Sequence, residues 1–169
     1  MKYNRMNNIL CTGFEGNINS SKVLLDNLSK NINLDCLHFD NDFEKSEKQL
    51  TDKIKGNKYD FILSLGQKPV IKKIYIEKTG INGLKKLETN YNYMGLKIYL
   101  EKYFRIKISE NAGKYLCNNI YYKGLKYIFD NKLKTKMIFI HIPYLDNIDI
   151  KYFSKILIYY MENILNNEL

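Results

Sequence analysis

YDFILSLGQ (residues 59–67) is a nearly continuous apolar run that ends in Gly66-Gln67. A half-exposed strand would alternate apolar and polar side chains, so a short run without alternation reads as a strand covered on both faces. KMIFIHIPY (136–144) repeats the pattern and is stopped by Pro143, which has no N–H to give to a ladder. Strands buried on both sides require helices on both faces of one sheet.

The segments around these two strands supply the helices. NNILCTGF (7–14) reads as a short strand entering a glycine turn, and Ser20 is placed to cap SKVLLDNLSK, whose Val23, Leu24, Leu25 and Leu28 form a helical stripe. LDCLHF (34–39) alternates as a strand, and FEKSEKQLTDKIK (43–55) reads as a charged surface helix. IKKIYIEKTGI (71–81) fits a strand or a loop, Tyr93 to Phe104 a helix, and FRIKIS (104–109) a strand. Cys117 opens the helix NNIYYKGLKYIF, and Asp149 caps a last helix with Ile150, Phe153, Ile156, Leu157, Ile164 and Leu165 on its apolar side. Strand and helix thus alternate five or six times. That order predicts one three-layer α/β/α domain over residues 1–169, with an open and mostly parallel sheet. Ligands in such folds bind beyond the carboxyl ends of the strands, where Gly13-Phe14, Gly66-Gln67 and His141 fall.

Composition narrows the function classes. The net charge of +9 raises the question of an anionic partner, but lysine is spread over almost every segment and only two arginines occur, Arg5 and Arg105. Phosphate-forking and base-reading sites favour arginine, so no nucleic-acid partner is expected. No apolar run approaches the roughly 20 residues that span a bilayer, and MKYNRMNNILC lacks the apolar core and cleavage site of a signal peptide. Cys11, Cys36 and Cys117 form neither a metal-like cluster nor an even disulfide set, so no metal is expected and the predicted compartment is the reducing cytoplasm.

Chemistry concentrates in ENAGKYLCN (110–118). A thiol in the first turn of a helix sits at the positive end of the helix dipole, which favours the reactive thiolate. A Cys-His-acid site also needs an imidazole to carry the proton and a carboxylate to orient it. Of the two histidines, His38 lies within a short strand, whereas His141 stands at a strand's end. Cys11 and Cys36 lie inside strands and read as packing residues. Taken from the residues alone, structural readings of Cys117 and His141 are the commoner ones, and Glu77 more often reads as a solvated charge in a lysine-rich stretch.

The same segments resemble the pyroglutamyl-peptidase I family of cysteine peptidases. Ala112, Gly113, Cys117 and Asn118 match its AG-x-x-x-CN pattern, and Phe139, Ile140, His141, Pro143 and Tyr144 its F-I-H-x-P-Y pattern. Gly66, Gln67, Glu77, Ile81 and Asn82 follow the order of its glutamate segment, and Thr12 to Glu15 resembles its opening T-G-F-D/E. The resemblance implies a phosphorylase/hydrolase-like fold and an exopeptidase that removes N-terminal pyroglutamate from peptides without a cofactor. It implies Cys117 as nucleophile, His141 as base and then acid, and Glu77 as the group orienting His141. It also implies Phe14 and Gln67 as the aromatic face and amide partner of the lactam ring, with Tyr115 and Leu116 as further substrate contacts.

The chain departs from the family in three places. GNINSS follows Glu15, so a second pocket phenylalanine is missing; GLKKLETNYNY (83–93) has no arginine where the family carries one; and much of the segment preceding the cysteine is absent. Tyr91, Tyr93 or Tyr115 could stand in for the lost wall. The alternatives are a related N-terminal amide or acyl hydrolase with altered specificity, and a non-catalytic basic α/β binding module. The missing segment leaves the oligomeric state open.

Overall fold

The computed structural model describes residues 8–167. Asn7 and residues 1–6 of the segment read for a signal peptide lie outside the described residues. Eight strands and five helices follow in the order β1 (Ile9–Phe14), α1 (Ser20–Asn31), β2 (Asp35–Phe39), α2 (Phe43–Gly56), β3 (Phe61–Gln67), β4 (Ile74–Glu77), β5 (Thr79–Asn82), β6 (Lys85–Glu88), α3 (Tyr93–Leu100), β7 (Ile106–Ser109), α4 (Leu116–Asp130), β8 (Lys136–Ile142) and α5 (Ile150–Asn163).

Six strands form one sheet in the order β2-β1-β3-β8-β4-β7. The two runs that announced the fold, β3 and β8, are paired in parallel at its centre from Phe61↔Lys136 to Gln67↔Ile142. Alternate residues of these strands feed two cores. Phe61, Leu63, Leu65, Ile138, Ile140 and Ile142 pack against α1, α3 and α5, and Ile62, Met137 and Phe139 against α2 and α4. Both strands are therefore covered on both faces, as their lack of alternation required. Tyr91, whose hydroxyl bonds that of Tyr160, belongs to the first of these cores.

The sheet is mostly but not wholly parallel. β4 runs antiparallel to β8 and parallel to β7. Residues 68–73 between β3 and β4 are too few for a helical crossover, so the chain returns in the opposite direction. The segment read as strand or loop over 71–81 is thus two strands, β4 in the sheet and β5 outside it. β5 pairs with β6 across a turn at Gly83, whose φ is +60°. The Asn82-Gly83 pair favours such a hairpin, because glycine adopts positive φ without steric penalty. Four helices begin with a side-chain cap: Asn19, Asp42, Asn92 and Asp149. The predicted cap Ser20 is instead the first helical residue of α1, one position after Asn19. No helix among the described residues is long and apolar enough to cross a membrane.

Candidate active site

The site is built on the α4 face of the sheet. His141 is opposite Gly66 on one side and Tyr75 on the other, and Glu77 is opposite Phe139. Period-2 alternation puts His141, Phe139, Tyr75, Glu77 and Gly66 on the same face. Glu77 is consequently a diagonal cross-strand neighbour of His141, a separation that a long side chain can bridge. Its Oε1 lies 2.6 Å from His141 Nδ1, with both side chains buried. The reversed direction of β4 makes this possible, because it turns the end of a short strand toward the middle of β8.

Cys117 arrives from above. It is the second residue of α4, and its Sγ lies so close to Gly66 that a Cβ there would come within 2.9 Å of it. Gly66 is the register partner of His141, so thiol and imidazole occupy adjacent columns of the same face. The strand preceding α4, β7, ends level with Glu77 rather than at the edge shared by β3 and β8. Residues 110–115 carry the chain back to that edge. Thr79 Oγ1 donates to Glu110 O (2.6 Å), and Gly113 takes φ +93° in this connection.

Two side chains of α4 tie the helix to its neighbours. The Asn118 amide makes both bonds to one residue of β5, accepting from Ile81 N (2.8 Å) and donating to Ile81 O (2.7 Å). Tyr121 donates its hydroxyl to Glu77 O (2.8 Å), fixing the backbone of the carboxylate residue. Between them Gly80 lies so close to the Tyr122 backbone that a Cβ would approach it to 2.8 Å.

The electrostatics refine the expectation for Cys117. Burial pushes its thiol up to about 12, opposed by its own backbone N–H, raised further by the Glu77 charge and lowered by Lys68. Burial of the sulfur therefore outweighs the helix start, although the residue as a whole is only partly buried. For Glu77, burial is the largest influence and would raise the carboxyl, but His141, Ser109 and Lys68 together leave it below its ordinary value. The N-terminus of α4 is left open. Tyr115 caps it without a side-chain bond, and the first backbone bond runs from Asn119 N to Tyr115 O. The N–H groups of Leu116, Cys117 and Asn118 therefore precede the first intrahelical bond.

The remaining predicted residues divide. Gln67 Oε1 accepts from Ser20 N (2.8 Å) and Ser20 Oγ (3.1 Å), which fixes the amide and leaves its NH2 end as the group available to a ligand. Phe14 is only 4% exposed and packs on Phe39 at 5.4 Å, so its ring is committed to the core. Tyr115 is 79% exposed and lines a cleft of about 370 Å³ with Phe43, Asn82 and Lys114. Leu116 packs against the α2–α4 core. Of the tyrosines considered as replacements for the wall, Tyr91 is buried on the opposite face and Tyr93 packs beside the same core, leaving Tyr115. His38 is bound to Asp26 of α1 (3.1 Å), and Cys11 and Cys36 lie in register on the opposite face.

Sequence reasoning missed two parts of the site. Lys68, to which the sequence reading gave no role, lies 3.5 Å from Glu77 Oε1. Its position directly after Gln67, at the end of a buried strand, was the available signal. The Asn118 clamp was visible only as a motif letter, since its partner Ile81 is 37 residues away.

A six-stranded, mostly parallel sheet flanked by helices is the fold of solved pyrrolidone carboxyl peptidases. The structure is similar to the crystal structure of pyrrolidone carboxyl peptidase from Fervidobacterium islandicum AW-1, with a TM-score of 0.84 and 23% identity, covering 94% of this chain and 98% of that one. It is also similar to pyroglutamyl peptidase I from Bacillus amyloliquefaciens, with a TM-score of 0.81 and 20% identity over 90% of this chain and 92% of that one. At the sequence level, pyrrolidone-carboxylate peptidase 2 of Caldanaerobacter subterraneus subsp. tengcongensis is 31% identical over 167 residues, 81% of each chain. The pyrrolidone-carboxylate peptidase of Fusobacterium nucleatum is 31% identical over 172 residues, 83% of this chain and 79% of that one. The family profile for pyroglutamyl peptidase matches residues 96–161, which include Cys117 and His141. The chain belongs to the pyroglutamyl peptidase family.

Proposed function

We propose that this chain is a cysteine exopeptidase that hydrolyses an N-terminal pyroglutamyl residue from peptides through an acyl-enzyme. The observation that carries the reading is the 2.6 Å contact between Glu77 Oε1 and His141 Nδ1, with the Cys117 sulfur seated over the register partner of that histidine.

With Nδ1 committed to Glu77, Nε2 is the ring nitrogen left to act on the thiol. Because burial holds Cys117 neutral, His141 takes its proton as sulfur attacks the pyroglutamyl carbonyl. The carbonyl oxygen becomes an oxyanion, for which the open N–H groups at the start of α4 are the natural donors. Collapse breaks the C–N bond, and His141 returns the proton to the departing amine. Water then attacks the thioester with His141 again as base, releasing pyroglutamate and restoring the thiol. Glu77 stays ionised throughout and stabilises the imidazolium. Gln67 reads the lactam carbonyl through its NH2 end, since Ser20 occupies its oxygen. The reading requires no metal or organic cofactor. A cytoplasmic location accompanies it, in keeping with three free thiols.

The test is release of a fluorescent amine from a pyroglutamyl conjugate, with Cys117→Ser as control. Turnover by the wild type and none by the variant is expected. The committed Phe14 ring and the exposed Tyr115 also favour measuring prolyl and acetyl conjugates in parallel. Faster turnover of one of these would assign altered specificity. No turnover of any conjugate, with iodoacetamide labelling Cys117 no faster than Cys36, would overturn the catalytic reading.

A further inference from the structure

Among the described residues, Lys68 is the one lysine or arginine within ion-pair distance of Glu77. It is the first residue beyond β3, and its N–H continues the ladder by donating to Ile142 O (3.0 Å). Its ammonium lies 3.5 Å from Glu77 Oε1 and 3.5 Å from Asn111 O, and 5.1 Å from the centre of the Tyr75 ring. The arrangement is asymmetric. The Lys68 side chain is 27% exposed and keeps contact with solvent, whereas the Glu77 side chain is 0% exposed. Glu77 Oε1 meets both His141 and Lys68, while Oε2 accepts no hydrogen bond among the described residues. A carboxylate so enclosed needs a compensating positive charge if it is to remain ionised while His141 is neutral.

We propose that Lys68 is a positioning residue of the Cys-His-Glu site, holding the Glu77 carboxylate ionised and in line with His141 Nδ1 and thereby setting how readily the Cys117 thiol reacts at a given pH. This rests on the catalytic reading above. The groups facing Glu77 are His141 from β8, Cys117 and Tyr121 from α4, Ser109 and Lys107 from β7, and Lys68 itself. Ser109 donates its hydroxyl to Asn111 O (3.1 Å). Lys107 shares the Tyr75 ring, also at 5.1 Å, but forms no ion pair with Glu77, which makes it an internal control. Removing the Lys68 charge makes the surroundings of Cys117 more negative, so its proton is held more tightly and less thiolate forms at a given pH.

The experiment measures the rate of Cys117 alkylation by iodoacetamide against pH, read by mass spectrometry of the Cys117 peptide. Wild type, Lys68→Gln, Lys68→Arg and Lys107→Gln are compared, each first checked by thermal melting. Lys68→Met, which keeps the stem without the charge, replaces the Gln variant if that one does not fold. Between pH 7 and 9, where Lys68 is charged, the neutral variant should be alkylated about 3- to 10-fold more slowly than the wild type at each pH, and the Arg and Lys107 variants should follow the wild type. Superposition of the neutral variant on the wild type would overturn the proposal, as would an equal slowing in Lys107→Gln. The readout needs no turnover, so its failure is distinct from inactivity of the wild type on pyroglutamyl conjugates.

Discussion

Replacing Gly66 by alanine tests the geometry of the site more sharply than removing a reactive group. A Cβ at Gly66 would stand 2.9 Å from Cys117 Sγ and 2.8 Å from Phe139 Cζ. Ordinary non-bonded contact lies at about 3.5–4.0 Å, so the sulfur must retreat by roughly 0.6–1.1 Å and the ring by roughly 0.7–1.2 Å. Phe139 has little room, because its ring lies 4.9 Å from His141 and 5.5 Å from Tyr121. The methyl group therefore moves nucleophile and base together. The glycine is not at positive φ, so the backbone accepts alanine and the effect is purely one of space. Overpacking of this kind costs about 1–3 kcal/mol, slightly offset by the stiffer unfolded chain. In a chain of this size that lowers Tm by about 2–10 °C. The loss of activity should be larger, since a 1 Å misplacement of reacting groups removes about a hundredfold in rate. The assay is kcat/KM on a pyroglutamyl conjugate at a temperature where the variant is folded, beside a thermal melt. Gly56→Ala, where nothing stands within 4 Å, is the control and should match the wild type. Wild-type kcat/KM in a folded Gly66→Ala protein would refute the placement of the sulfur over β3.

Two further outcomes follow from the same geometry. Glu77→Gln removes the acceptor that fixes the His141 tautomer, and kcat should fall by about three orders of magnitude with the fold retained. Its pH dependence has a definite sign. A carboxyl held below its ordinary value contributes stability that is present above the ordinary glutamate pKa of about 4.3 and lost as pH falls through the lowered value. Thermal melts between neutral and acid pH should therefore decline less steeply in the variant, and parallel curves would contradict the pairing. Asn118→Ala leaves Ile81 N and O without their partners, and the urea midpoint should drop by an amount equivalent to about 2 kcal/mol at constant m. An unchanged midpoint would mean that β5 does not depend on the clamp.

Much of the architecture was legible because it is written locally. Doubly buried strands, helical stripes and the Asp149 cap each arise from contacts within a few residues, and the corresponding elements appear where the periodicity puts them. The IKKIYIEKTGI segment was ambiguous for a physical reason. β4 and β5 have four residues each, too short for alternation to distinguish strand from loop, and the hairpin with β6 is signalled mainly by Asn82-Gly83. Tyr91 illustrates the reverse limit. Its sequence position near the proposed site carried no information about which face of the sheet it covers.

Sequence alone singled out the side chains proposed for the chemistry: one thiol at a helix start, one histidine at a strand end, and a glutamate in a matching motif. Tertiary structure decided how they meet. The short β3–β4 connection reverses β4, and only that reversal makes Glu77 a diagonal neighbour of His141. Packing of Cys117 over Gly66 buries its sulfur, and the fold brings the Lys68 ammonium, nine positions away in sequence, to 3.5 Å from Glu77 Oε1. Register, burial and the sum of local charges depend on residues tens of positions apart, which no local pattern encodes.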